Sequence, residues 1–168
     1  AAAAIVVEPT NKSSGSALLH WNMKTWPEGA SYTEVRGGGT NKHPQDPNTK
    51  DVDNLFTMNG PMIYKMARKY VYTMLNDDLK TMGINRDDIA LLVPHQASGL
   101  AVKAYVKYGQ FTSEQVMDII SYTGNCVAAS LPLALAIGFE ENRFKRGDLV
   151  YLVGTGAGLS IASTLIRF

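Results

Sequence analysis

The sequence has a single cysteine, Cys126, so it cannot close a disulfide within itself, which suits a reducing, cytoplasmic compartment. Histidine is scarce and scattered. His20, His43 and His95 stand far apart, with no Cys/His cluster at zinc-ligand spacing, so no metal centre is expected. Charge of either sign is nearly balanced at +1, which gives no reason to expect nucleic acid or an anionic membrane as a partner. No uninterrupted apolar stretch approaches the ~20 residues of a membrane span. The N-terminus, Ala1-Ala2-Ala3-Ala4-Ile5-Val6-Val7-Glu8, has neither an initiator Met nor a basic leader region. It reads as the middle of a strand, and the chain is expected to begin partway through a longer protein.

What is present is ordinary globular material: 168 residues, 45% hydrophobic and 18% charged. That length fits one domain or one half of a two-part fold, and buries roughly two-thirds of the surface that the unfolded chain exposes. Ala3 to Val7 reads as a buried strand closed by Glu8-Pro9, followed by a turn at Asn11 to Gly15 and a second apolar segment, Ala17 to Trp21. Pro27 to Asn54 is rich in turn formers and lacks periodicity. Gly60-Pro61 opens a helix in which Met62, Met66, Tyr70 and Met74 recur as a core stripe, ended by Gly83. Ile89 to Val93 is a continuous apolar run of buried-strand length. Helices are expected over Ser98 to Tyr108, after a Thr112/Gln115 capping box, and from Ser130 to about Phe144. Leu149 to Val153 and Leu159 to Phe168 are the last two strands, joined as a hairpin. The class is α/β.

Several groups could carry chemistry. The run Gly154-Thr155-Gly156-Ala157-Gly158 is not a dinucleotide fingerprint, because Leu159 occupies the third glycine position and only ten residues follow Gly158. A plain turn and a backbone that faces a ligand both fit it. His95 stands just past an apolar strand, where α/β folds meet their ligands, though a histidine that merely caps the strand explains it too. Asn125 after Gly124 is an everyday turn when taken alone. Nothing near Cys126 in sequence would lower its pKa, so a small buried thiol is its default reading. His43 is expected in solvent.

The combination is more specific. Pro94-His95-Gln96-Ala97, then Gly124-Asn125 within a Gly-Asn-x-x-Ala-Ala-Ser pattern, then Arg146-Gly147-Asp148, the glycine loop and terminal Ile166-Arg167-Phe168 follow one another. In order and spacing this resembles the C-terminal half of the β-ketoacyl-acyl-carrier-protein synthase III family, within the thiolase superfamily. The likeness is strongest over 85–168 and faint over 26–54. It implies the C-terminal half of a layered αβαβα, thiolase-like condensing-enzyme fold with a mixed sheet. Residues 1–57 would then be the end of the N-terminal half plus the irregular insert, and 58–168 the C-terminal domain.

The resemblance also implies a mechanism. A cysteine takes an acyl group from acyl-CoA and passes it to a carbanion made by decarboxylating malonyl-acyl carrier protein, with no cofactor. His95 and Asn125 would donate hydrogen bonds to the enolate oxygen. Gly156, Ala157 and Gly158 would form the glycine loop, whose Ala157 N–H serves a second oxyanion hole. Substrate contacts are implied at Gly60, Gln96, Ala97 and Ser98. The nucleophile belongs to the missing N-terminal half, and Cys126 is not expected to replace it, so the chain alone would be inactive. Acyl-CoA, the acyl carrier protein and that missing half are the partners implied, with a homodimer formed by the full-length protein. Ser98, Gly99, Leu100 and Pro61 depart from the residues of housekeeping members near the pantetheine arm and carrier. That points to a different donor or carrier. Two further readings stay open: a non-catalytic scaffold or dimerisation partner, and a thioester acyltransferase on the same fold.

Overall fold

The computed structural model describes residues 1–10 and 15–168; of the turn expected at Asn11 to Gly15, only Gly15 lies within them. A four-stranded mixed sheet organises the chain, in the order β1 (Ala17–Thr25), β6 (Ser160–Arg167), β5 (Leu149–Gly156) and β4 (Ile89–Pro94). β4 and β5 run parallel, while β5–β6 is an antiparallel hairpin and β1 runs antiparallel to β6. β1 pairs along β6 from Ala17 to Thr25, so the sheet crosses the division placed at residue 57. A second, two-stranded ribbon pairs β2 (Thr33–Val35) with β3 (Phe56–Met58).

Helices cover both faces. α1 (Gly60–Met82) and α2 (Gly99–Lys107) lie on one side, where Met74, Leu75 and Tyr105 pack with Leu92, Val153 and Ile161. After α3 (Ile120–Thr123), a single turn, α4 (Ser130–Glu140) lies on the other, where Ala134 packs with Leu91, Val93 and Val150. Leu91, Leu92 and Val93 are all fully buried and alternate between the two cores, which is why β4 reads as a continuous apolar run. α1 begins under the Asn59 side chain, which accepts a hydrogen bond from Met62 N–H, and ends at Gly83 in the left-handed region.

Three expectations are corrected. Ala3 to Val7 forms no strand: these residues are exposed and belong to no strand among the described residues, and a strand exists only with a neighbour to complete its backbone hydrogen bonds. Thr112 and Gln115 do form a reciprocal capping box, but it opens no helix: residues 113–119 are a turn and a bridge. Val116 is drawn instead into a bridge with Leu92, and the backbones exchange Leu92 N–H to Gln115 and Met117 N–H to Leu92. The methionine stripe of α1 is buried only at one end, with Met62 40% exposed and Met74 2%. A four-residue step overshoots the 3.6-residue turn, so the stripe drifts around the helix. The insert over 27–54 is ordered around Asp53, whose carboxylate accepts from Lys50 N–H and faces Arg36 and Lys42 at 3.7 and 3.6 Å.

Candidate active site

His95 leaves the C-terminal end of β4 beside β5, its N–H donating to the Val153 carbonyl at 2.8 Å. The next residue, Gln96, is fully buried. Its amide donates to the Pro94 and Met117 carbonyls and accepts from Ile119 N–H. Gln96, expected among substrate contacts, spends every polar atom of its side chain on backbone, where it welds the end of β4 to the strand-like segment 116–119. The result is a rigid platform for the imidazole. Ser98 is likewise engaged, capping α2 by accepting from Ala101 N–H, while Ala97 is exposed.

The loop before α4 closes over this platform. Asn125 Oδ1 accepts from Val127 N–H at 2.9 Å, which orients the amide with its NH₂ group outward, and that group reaches the Ala97 carbonyl at 3.5 Å. Five residues on, Ser130 is buried with its hydroxyl 2.5 Å from His95 Nδ1. Two hydrogen bonds therefore stitch residues 95–97 to residues 125–130 and bring His95 and Asn125 together. α4 can approach this closely because Gly154 lacks a side chain: a Cβ there would stand 3.0 Å from Leu131 Cδ1. Burial lowers the His95 pKa, so the ring is neutral near pH 7. Its Nε2 is free of the contact to Ser130. Ser130 was read from sequence only as the first residue of a helix, although it closes the Gly-Asn-x-x-Ala-Ala-Ser pattern.

The glycine loop sits at the same end of the sheet. β4 and β5 are parallel with Pro94 opposite Val153, and Gly156 lies three residues further, roughly 10 Å along the strand. Ala157 and Gly156 are exposed, and Gly158 has φ +128°. Leu159 anchors the loop by exchanging both backbone hydrogen bonds with Trp26, whose ring stacks on Tyr70 of α1. Gly60, the first residue of α1, has no hydrogen bond to the His95–Asn125 group among the described residues. Cys126 is half-buried, its thiol 3.4 Å from the Thr123 carbonyl, and His43 is exposed. Among the described residues no three His, Cys, Asp or Glu side chains gather as a metal site, and no helix is long and apolar enough to cross a membrane.

The β-ketoacyl-[acyl-carrier-protein] synthase III of Roseiflexus castenholzii is 32% identical over 99% of this chain, which covers 50% of that protein. The solved structure of the Thermus thermophilus synthase III superposes with TM-score 0.81 at 27% identity, over 96% of this chain and 49% of that one. The Pseudomonas aeruginosa enzyme gives 0.80 at 27%, over 96% and 47%. The chain thus spans about half the length of the relatives it matches, and shares the thiolase-like fold of their C-terminal half. The family profile described as 3-oxoacyl-[acyl-carrier-protein (ACP)] synthase III C terminal matches residues 79–168, and the chain belongs to that family.

Proposed function

We propose that this chain supplies the enolate-stabilising half of a decarboxylative condensing acyltransferase, which joins an acyl thioester to malonyl-acyl carrier protein once its other half is present. The observation that carries this reading is the stitching of His95 and Asn125 into one rigid group at the carboxyl end of β4. Loss of CO₂ from a malonyl thioester drives negative charge onto the thioester carbonyl oxygen. Two neutral donors fixed in advance stabilise that charge without reorganising as it develops. His95 suits the task because burial keeps it uncharged, so it offers a hydrogen bond rather than a proton. Asn125 suits it because its oxygen is spent on Val127 N–H and its NH₂ is what remains to offer. The exposed N–H of Ala157 would serve the second oxyanion, on the acyl thioester itself.

The nucleophile lies outside this chain on this reading. Cys126 adjoins Asn125, yet its thiol is turned to the Thr123 carbonyl rather than toward His95. Acyl-CoA, the acyl carrier protein and the partner half are its proposed partners, and no cofactor is required. The test is malonyl-thioester decarboxylation by the intact protein. His95→Ala and Asn125→Ala should each slow it by about two to three powers of ten. Unchanged decarboxylation in His95→Ala would remove the assigned role.

A further inference from the structure

Ser130 stands where two hydrogen-bond acceptors compete for one proton. Its hydroxyl is 2.5 Å from His95 Nδ1 and 2.9 Å from the Val127 carbonyl oxygen. A hydroxyl donates once. If the proton goes to Val127, Nδ1 must carry hydrogen and donate to Ser130, and the neutral ring then presents a bare Nε2 lone pair, which is a base. If the proton goes to Nδ1, Nε2 carries hydrogen and the ring presents a donor.

Two observations choose between these states, and a third shows how the hydroxyl is delivered to the ring. The Val127 carbonyl already accepts the backbone N–H of Ser130, so it is satisfied without the hydroxyl. The contact to the imidazole is the shorter of the two, and O–H donors make shorter hydrogen bonds than N–H donors. The loop that holds Ser130 is also strained. Val127 is β-branched yet sits at φ +53°, a left-handed conformation such residues rarely adopt, pinned there by Asn125 Oδ1. The strained residue lies between the two site residues, and the turn it makes delivers the Ser130 hydroxyl to the ring.

We propose that Ser130 is a positioning residue that donates to His95 Nδ1 and so fixes the Nε2–H tautomer, making the imidazole a hydrogen-bond donor rather than a base toward the thioester carbonyl. The inference rests on the reading of His95 as an enolate donor, but its first test does not use activity. In the intact protein with ¹⁵N-labelled histidine, the His95 signals are assigned by their loss in His95→Ala. Wild type should show a bare Nδ1 and a protonated Nε2, and Ser130→Ala should shift the population toward Nδ1–H. Ser130→Ala should also slow malonyl-thioester decarboxylation by about tenfold or more, since a ring held in the wrong tautomer loses its role. Ser130→Cys, which keeps a weak donor, should fall between. A wild-type ring protonated at Nδ1 overturns the proposal, as does a tautomer that ignores both substitutions. The wild-type spectrum decides even if Ser130→Ala fails to fold. A tautomer that follows Ser130, while decarboxylation ignores both Ser130→Ala and His95→Ala, upholds the positioning and removes the enolate reading instead.

Discussion

Asp78 is a carboxylate on the buried side of α1, 2% exposed, and four partners hold it there. Asn22 and His20 of β1 approach Oδ1 at 2.8 and 3.0 Å, and Tyr151 and Ser163 donate to Oδ2 at 2.8 and 2.6 Å. Burial pushes this carboxyl up, but the hydrogen bonds from Ser163, Asn22, Tyr151 and His20 outweigh it and hold it below the ordinary value. The sign follows: this stabilisation is complete above about pH 4, where an unfolded aspartate is ionised, and drains away as pH falls through the depressed value. Asp78→Asn should cost about 3 kcal/mol near neutral pH, read by chemical denaturation of the intact protein, and should flatten the acid limb of its stability profile. Nothing in the local sequence announces this cluster, because the partners lie 56 to 85 residues away along the chain. The same holds for Gln96 and Ser130: the motif containing them is legible, but which member faces substrate and which braces the backbone depends on contacts from segment 116–119 and from β4. His95 and Asn125, by contrast, are legible as a pair only through the resemblance of the motifs that hold them to one family, since neither stands out by itself.

At the scale of elements, α4 is set by what it lacks. A Cβ on Gly138 would meet Leu91 Cδ2 at 3.0 Å and Phe144 Cε1 at 3.4 Å, so the helix lies directly on β4 at that point. Gly138→Val should destabilise the protein by about 2 kcal/mol, read by thermal or chemical unfolding, because the added branch overpacks a closed contact. It should also weaken the His95–Ser130 contact at the other end of the same helix. The strands β4 and β5 are legible because helices cover both of their faces and each must be apolar, whereas β6 is covered on one face and alternates buried Ile161, Ser163 and Leu165 with more exposed residues. The capping box at Thr112 and the run Ala3 to Val7 mislead for a shared reason. Both are local patterns, and whether a turn becomes a helix or an apolar run becomes a strand is decided by the neighbour each finds. Val116 finds β4, whereas Ala3 to Val7 finds no strand among the described residues.

At the scale of the molecule, α4 covers only the β4–β5 side of its sheet face. On the same face Trp21 pairs across from Thr164 and Met23 from Ala162, and these two large side chains are 69% and 62% exposed. Such a strip on a sheet is an association surface. The chain by itself should therefore self-associate on size exclusion; a monodisperse, stable monomer would contradict that. The central claim is that two donors of an acyl-transfer site reside here without their nucleophile. It is tested most directly by incubating the intact protein with an acyl-CoA and locating the acyl adduct by peptide mass spectrometry. The expected adduct lies on a cysteine outside the 168 residues and is unaffected by Cys126→Ala. An adduct on Cys126 would contradict it.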